Sequence, residues 1–403
     1  MSSRNSYRIP IVDLRAQYGQ IRDEIRKAMD EVAESQQFIL GPAVQAFEAA
    51  MAQYLNCAHA VGVASGSDAL LLALMALGIG PGDAVIVTPF TFFSTVSAIT
   101  RLGAKPLFID IPDQGYLLSA ADVESFLRSR ARSEKDETID SKTGLRVKAI
   151  LPVHLFGECC AMDAFLRLAK TYRLCLVEDV AQACGARLRL HGASQFAGTI
   201  GDLGCFSFFP SKTLGGFGDG GLIATHDGAL AAKARMLRMH GESRKYHHDV
   251  TGINSRLDSL QAAVLSVKLT HLEEWCEQRV QKADLYHSLL TQSGLIGRGV
   301  LALPPRRNDK THVFNNYVIR AERRDELKQF LADAGIQSEI YYPLPLHLQA
   351  CFADLGYKRG DFPRAEAAAE QVLALPIYPE ITPTQQEEVV ARIAAFYRRR
   401  GQL

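Results

Sequence analysis

The stretch Cys205-Phe206-Ser207-Phe208-Phe209-Pro210-Ser211-Lys212 leads, one residue later, into Leu214-Gly215-Gly216-Phe217-Gly218-Asp219-Gly220-Gly221. Its first half is a short apolar run of strand length, closed by a proline, and glycines follow the lysine. That pattern reads as a buried strand that exits into a tightly folded loop. Upstream, Leu174-Cys175-Leu176-Val177-Glu178-Asp179 has the same form and ends in an acid. Working outward, further runs at Ala84–Thr88, Lys105–Asp110, Lys148–Val153 and Gly221–Thr225 read as strands. Between and beyond them, Asp68–Leu77, Thr95–Leu102, Ala120–Arg128, Met162–Tyr172 and Gly228–His240 read as helices. Strands separated by helices imply an α/β protein with a mainly parallel sheet covered on both faces. Ligands of such sheets bind at the carboxyl ends of the strands, and Asp179 and Lys212 both fall there.

The chain of 403 residues is long enough for one large core and a second lobe. A formal net charge of +1 gives no footprint for nucleic acid or an anionic membrane. No apolar run reaches the roughly 20 residues that span a bilayer. Met1 to Ile11 is polar and shows no signal-peptide core. The eight cysteines are scattered, several inside strand-like runs, which fits reduced, buried thiols in a cytoplasmic protein. Cys159 and Cys160 are adjacent and lack metal-ligand spacing, so no metal is expected.

The segment Ser129–Arg146 is dense in charge and has no apolar period, and it is expected to be a solvated, mobile surface loop. A long helical pattern from Leu257 to about Leu290 then leaves the sheet. A smaller α/β lobe is expected beyond it, with strands His312–Ala321 and Gln337–Tyr342, helix Asp325–Ala334 and a final helix Thr384–Arg400. The division is 1–255, with an N-terminal arm, and 256–403.

Four features along the sheet bear on chemistry. Val63-Ala64-Ser65-Gly66-Ser67-Asp68 ends an apolar run and opens a helix, so backbone N–H groups and the hydroxyl of Ser65 or Ser67 are placed for an anion. The plainer reading is a turn with a serine N-cap. Pro89-Phe90-Thr91-Phe92-Phe93 puts aromatic rings at a strand exit, where one can stack on a flat heteroaromatic ring, although any single Phe there also suits the core. Asp179 suits a cationic ring nitrogen, or a helix N-cap, and Gln182 can donate to a phenolate oxygen. Ser207 suits a phosphate, or simply a strand hydroxyl. Lys212 completes the set. A lysine and an acid delivered by neighbouring strands form the pairing that pyridoxal phosphate chemistry requires. One shared site explains these features in this order better than separate coincidences.

The chain resembles the DegT/DnrJ/EryC1/StrS sugar aminotransferases, a branch of the fold type I pyridoxal phosphate enzymes. The resemblance is carried by Phe38-Ile39-Leu40-Gly41-Pro42, Gly62–Leu70, Pro152-Val153-His154-Leu155-Phe156-Gly157, Gly201–Lys212, Asn254–Asp258 and Tyr342–His347. It implies a large domain with a mainly parallel seven-stranded sheet and a smaller C-terminal α/β domain. It also implies roles for individual residues. Lys212 is matched to the Schiff-base lysine, Asp179 to the acid at the pyridine nitrogen and Gln182 to the residue near the phenolic oxygen. Gly66, Ser67 and Ser207 are matched to the phosphate site. Phe92 is matched to the stacking position, with Phe90 and Phe93 competing. Asn254 is matched to an asparagine that reaches the cofactor phosphate of the neighbouring subunit, which implies a homodimer with shared active sites.

The reaction implied is transamination from L-glutamate to a nucleotide-linked keto-sugar. Ser65-Gly66-Ser67-Asp68-Ala69-Leu70 resembles members acting at C3 more than those acting at C4. Tyr342 and His347 are candidates for the sugar side of the cleft, with packing between the lobes as the equal alternative. His154 either lines the cleft or makes a structural hydrogen bond. Two other functions compete. One is a pyridoxal phosphate dehydratase acting on a deoxysugar, disfavoured because the lysine is retained. The other is a non-catalytic regulatory protein, disfavoured because the lysine–acid pair is intact.

Overall fold

The structure is a computed structural model that describes residues 7–305 and 311–398. Its centre is a sheet whose main path runs, in space, His59–Val63, Gly221–Thr225, Leu203–Ser207, Cys175–Asp179, Arg146–Ile150, Asp83–Val87, Lys105–Phe108. Along this path only Gly221–Thr225 runs against the others. The expected seven-stranded, mainly parallel sheet is therefore present. Its strands carry near-continuous apolar runs because both faces are covered. Ala84 and Ile86 point into the core that holds Phe47, Phe165 and Phe206, whereas Val85 and Val87 point into the core with Leu72, Ile99 and Val177.

Helix starts follow their capping chemistry. Ser65, Ser119 and Asp227 each accept a backbone N–H from the first turn of the helix that they open. Helix Met162–Tyr172 has the bounds expected from its apolar period. Two N-terminal helices, Leu14–Ser35 and Pro42–Leu55, precede the first strand, and both pack against Ser259–Leu269.

The segment Ser129–Arg146 departs from expectation. It is no mobile loop. Ala131–Glu134 and Glu137–Asp140 form a hairpin, turned by Lys135 and Asp136 at positive φ, and the second strand pairs with Arg146–Ile150 and extends the sheet. The charges that suggested solvation neutralise one another. Asp140 is fully buried and accepts from Arg130 Nε at 2.7 Å and Nη2 at 2.6 Å. Arg146 bonds both Asp83 and Glu137.

The long pattern from Leu257 to Leu290 is two helices, Ser259–Leu269 and Leu272–Gln292. The break falls at Thr270, whose hydroxyl bonds the Val267 carbonyl at 2.7 Å. Backbone bonds of three-residue span tighten the turn there.

In the smaller lobe, Tyr317–Ala321 pairs with Leu301–Ala302 and Val372–Leu375. The strand expected at Gln337–Tyr342 is absent. This segment touches Ile9 and Ala374 through single bridges at Ile336 and Glu339, so its pairing is divided between two neighbours and no ladder forms. Ile9 of the N-terminal arm inserts into the core built by Tyr286, Tyr317, Leu331, Leu373 and Ile393. The last helix is Pro383–Arg398; residues 399 and 400 of the expected helix lie outside the described residues. Among the described residues no helix is long and apolar enough to cross a membrane, and all eight cysteines are free.

Replacing Arg130 with Met strands the Asp140 carboxylate. The expected cost is about 2 kcal/mol, or a thermal unfolding midpoint lower by roughly 2–3 °C for a chain of this size. Burial works to raise the Asp140 carboxyl, but Arg130 and Thr143 hold it below its ordinary value. Its contribution to stability is therefore present above the ordinary carboxylate range and lost as pH falls through the lowered value. The difference between wild type and Arg130→Met should shrink in strong acid.

Candidate active site

A cavity of about 430 Å³ opens between the carboxyl ends of the central strands and the smaller lobe. Strand Cys175–Asp179 ends in it. Asp179 lies opposite Cys205 in the parallel register, and the neighbouring strand ends two residues later at Ser207. The turn that follows brings Lys212 back to the same mouth, fixed by its backbone N–H on the Phe209 carbonyl at 2.8 Å. The two side chains act on each other through space, without a hydrogen bond. Burial pushes the Lys212 amine down to about 8, against the opposing pull of Asp179. Burial pushes the Asp179 carboxyl up; Thr95, donating to Oδ2 at 2.8 Å, and the Ala181 N–H, at 3.1 Å from Oδ1, pull it back.

The adjacent acid has a different task. Glu178 points to the opposite face of the strand and is fully buried. It accepts backbone N–H groups from Gly198, Ile200 and Gly201 and the His154 Nε2–H at 2.9 Å. Burial favours its neutral form, but these donors outweigh it and hold the carboxyl below its ordinary value. His154 Nδ1 lies 2.9 Å from the Cys160 N–H, so both ring nitrogens are engaged inside the protein. His154 is buried away from the cavity. Of its two expected readings, the structural hydrogen bond is the one realised.

At the other end, Ser65, Gly66 and Ser67 open helix Gly66–Ala76 beside Ser207. Backbone and strand meet so closely that a Cβ at Gly66 would lie 2.5 Å from the Ser207 Cβ. Only glycine permits this approach, and it leaves the first N–H groups of the helix facing the cavity. The Ser65 hydroxyl is spent on its N-cap, while the Ser67 hydroxyl bonds Ser94 at 2.6 Å.

The three competing phenylalanines separate. Phe90 is buried and stacks on Tyr116; Phe93 stacks on Phe352 outside the cavity; Phe92 presents a half-exposed ring to it, 5.9 Å from the Tyr342 ring. Gln182 accepts the Phe156 N–H at 2.7 Å and donates to the Tyr342 hydroxyl at 3.0 Å, which joins the two lobes across the cavity. His347 is not in the cavity. It is buried against Phe362 and bonded to Glu366 at 3.0 Å, so it packs the lobe that carries it. Asn254 is exposed and does not line this chain's own cavity, although the next residue, Ser255, accepts the Ala64 N–H just before the Ser65–Ser67 turn.

Sequence reading missed Thr91 and Thr95, which form a hydroxyl pair 3.0 Å apart behind Asp179, and Arg279, Asn315 and Asn316 on the far wall. Thr91 and Thr95 carried a faint signal, the first inside the Pro89–Phe93 strand exit and the second in the first turn of helix Phe93–Arg101. Arg279, Asn315 and Asn316 carried none, because they come from elements that only folding brings here. No cluster of His, Cys, Asp or Glu among the described residues is placed to hold a metal ion.

Comparison with known proteins gives a consistent picture. The model of the DegT/DnrJ/EryC1/StrS aminotransferase family matches residues 19–394. A Geobacillus stearothermophilus protein called "Pleiotropic regulatory protein" is 46% identical over 97% of this chain and 99% of its own length. A UDP-N-acetyl-3-dehydro-alpha-D-glucosamine 3-aminotransferase of Acidithiobacillus ferrooxidans is 43% identical over 97% of each. Among solved structures, S. venezuelae DesV in complex with a ketimine intermediate superposes with a TM-score of 0.87 at 40% identity, covering 96% of this chain and 98% of that one.

The raised Asp179 carboxyl has a measurable consequence. A buried group with a raised value favours the fold at acid pH and weakens it as pH rises through that value. In protein freed of small molecules, Asp179→Asn is expected to raise the thermal midpoint at pH 7, with the gain vanishing below pH ~4, near the ordinary carboxylate value. A midpoint that falls instead would show that the charge is already compensated.

Proposed function

The chain belongs to the DegT/DnrJ/EryC1/StrS aminotransferase family, and from this premise we propose that it transfers the amino group of L-glutamate to C3 of a keto-sugar carried on a nucleotide. The reading is supported above all by one observation, the convergence of Lys212 and Asp179 on one cavity. The amination of C3 is supported by the Ser65–Leu70 turn and by the name of the Acidithiobacillus relative. We take residues 1–255 as the lobe that would hold the cofactor and 256–403 as the smaller lobe.

The cavity fits pyridoxal phosphate. The glycine cradle at Gly66, the N–H groups of its helix and Ser207 would take the phosphate, with Ser67 beside them. Phe92 would cover the ring, Gln182 would lie near its phenolic oxygen and Asp179 would face its nitrogen. When bound, the cofactor supplies an aldehyde carbon and an electron sink for amino transfer.

The chain supplies the rest. An amine with its value near 8 is uncharged far more often at neutral pH than an ordinary lysine, so Lys212 Nζ can act as nucleophile and then carry a proton between carbons. Asp179, held in place by Thr95 and the Ala181 N–H, would aim its carboxylate at the place where positive charge must persist, and a cation there would favour its ionised form. Tyr341, Tyr342 and Ile377 line the same cavity and would limit the water that reaches these groups once a ligand fills it. Asn254, exposed and outside its own cavity, suits a site completed by a second copy of the chain, and we extend the proposal to a homodimer with shared sites.

A second reading, regulation without catalysis, is favoured by names of relatives, such as that of the Geobacillus protein, and by no feature of the site. One set of measurements separates the two. Glutamate is expected to bleach the aldehyde-form absorption of the wild type, and mass spectrometry should find amine on 3-keto rather than 4-keto nucleotide sugars. Lys212→Ala should abolish borohydride trapping and lower turnover by at least ~10³-fold. Amination that survives the substitution would sink the mechanism. Attachment of the cofactor to the protein alone should speed up as pH rises, with a midpoint of about 8 for Lys212.

A further inference from the structure

Arg279 lies on helix Leu272–Gln292 and is 4% exposed, yet it lines the cavity. Its Nη1 donates to the carbonyls of Phe314 at 3.2 Å and Ile377 at 3.0 Å. Among the described residues these are the hydrogen bonds of the guanidinium, and Nε is buried without a partner. Glu380 acts on it only through space. A guanidinium held out of water with uncommitted N–H groups is costly unless an anion completes it.

The surroundings are built for a ligand. Phe314, whose carbonyl Arg279 holds, sits at φ 45°, in the left-handed region that a phenylalanine rarely adopts. That turn sets Asn315 and Asn316 on the cavity wall. The other charged residues of the lining are Asp179, Asp219 and Lys212. Two are acids and the third is assigned to the chemistry, so Arg279 is the lining's remaining cation. The planar fork of a guanidinium matches a carboxylate with two parallel hydrogen bonds. At 4% exposure the guanidinium is more readily reached by a terminal carboxylate than by a diphosphate hemmed by a sugar on one side and a nucleoside on the other.

We propose that Arg279 binds a carboxylate of the amino-acid donor, so that the smaller lobe selects the donor while the larger lobe holds the cofactor. This rests on the glutamate-dependent reading above. The ping-pong order of transamination makes the two separable, because the glutamate half-reaction can be followed alone on the holoenzyme.

The test compares wild type, Arg279→Lys and Arg279→Met. Single-turnover conversion by L-glutamate is expected to need about 100-fold more glutamate in Arg279→Met, with Arg279→Lys between the two. As a binding readout, calorimetry with 2-oxoglutarate, which does not react with the aldehyde form, should show a parallel loss, while affinity for UDP or dTDP changes less than about threefold. Thermal unfolding identifies a variant that misfolds, and Arg279→Lys, which keeps the positive charge, then carries the comparison. Equal glutamate and 2-oxoglutarate binding in wild type and variants overturns the proposal, as does a loss confined to the nucleotides. A wild type that glutamate does not convert would sink the proposed reaction itself, a different failure.

Discussion

The structure depends on a carboxylate buried at the end of a parallel strand. Asp179 is almost out of water, so its charge is held only by Thr95 and a backbone N–H, with a lysine acting from across the cavity. Such a group is unfavourable in the protein alone and favourable once a cation faces it. The fold therefore stores, at one point, the electrostatic demand that a positively charged ring would meet. The lysine is biased in the complementary sense, because the same burial makes its neutral form accessible.

Two acids adjacent in sequence show how completely environment decides chemistry. Glu178 receives three backbone N–H groups and the His154 ring and is a fixed, satisfied ion in the interior. Asp179, one residue on, turns to the cavity and is left partly unsatisfied. Strand alternation sends the two carboxylates to opposite faces, and only one is available to a ligand. The acid that is fully served locks the strand, which in turn fixes where the other one points.

The cavity is a product of two lobes. Gln182 reaches from the sheet to the Tyr342 hydroxyl of the smaller lobe, and Arg279 ties Phe314 to Ile377 in the opposite wall. Ile9 threads the N-terminal arm into the core of the smaller lobe. These links fix the width of the cleft, so the chemistry of the sheet ends is matched to walls that come from distant parts of the chain.

Local pattern determined the sheet, most helices, and the placement of Lys212, Asp179 and the Ser65–Ser67 turn, because buried strands and capped helices write their period and their end residues directly into sequence. Charge density misled at Ser129–Arg146, where Asp140 and Arg130 cancel each other inside a hairpin, since sequence shows charges but not their partners. It also could not show that His347 turns inward to Glu366, or that Phe92 rather than Phe90 faces the cavity. Tertiary structure alone brought Thr95 to Asp179 and Arg279 to the far wall. Their positions depend on which elements pack together across long separations, and no spacing along the chain encodes that.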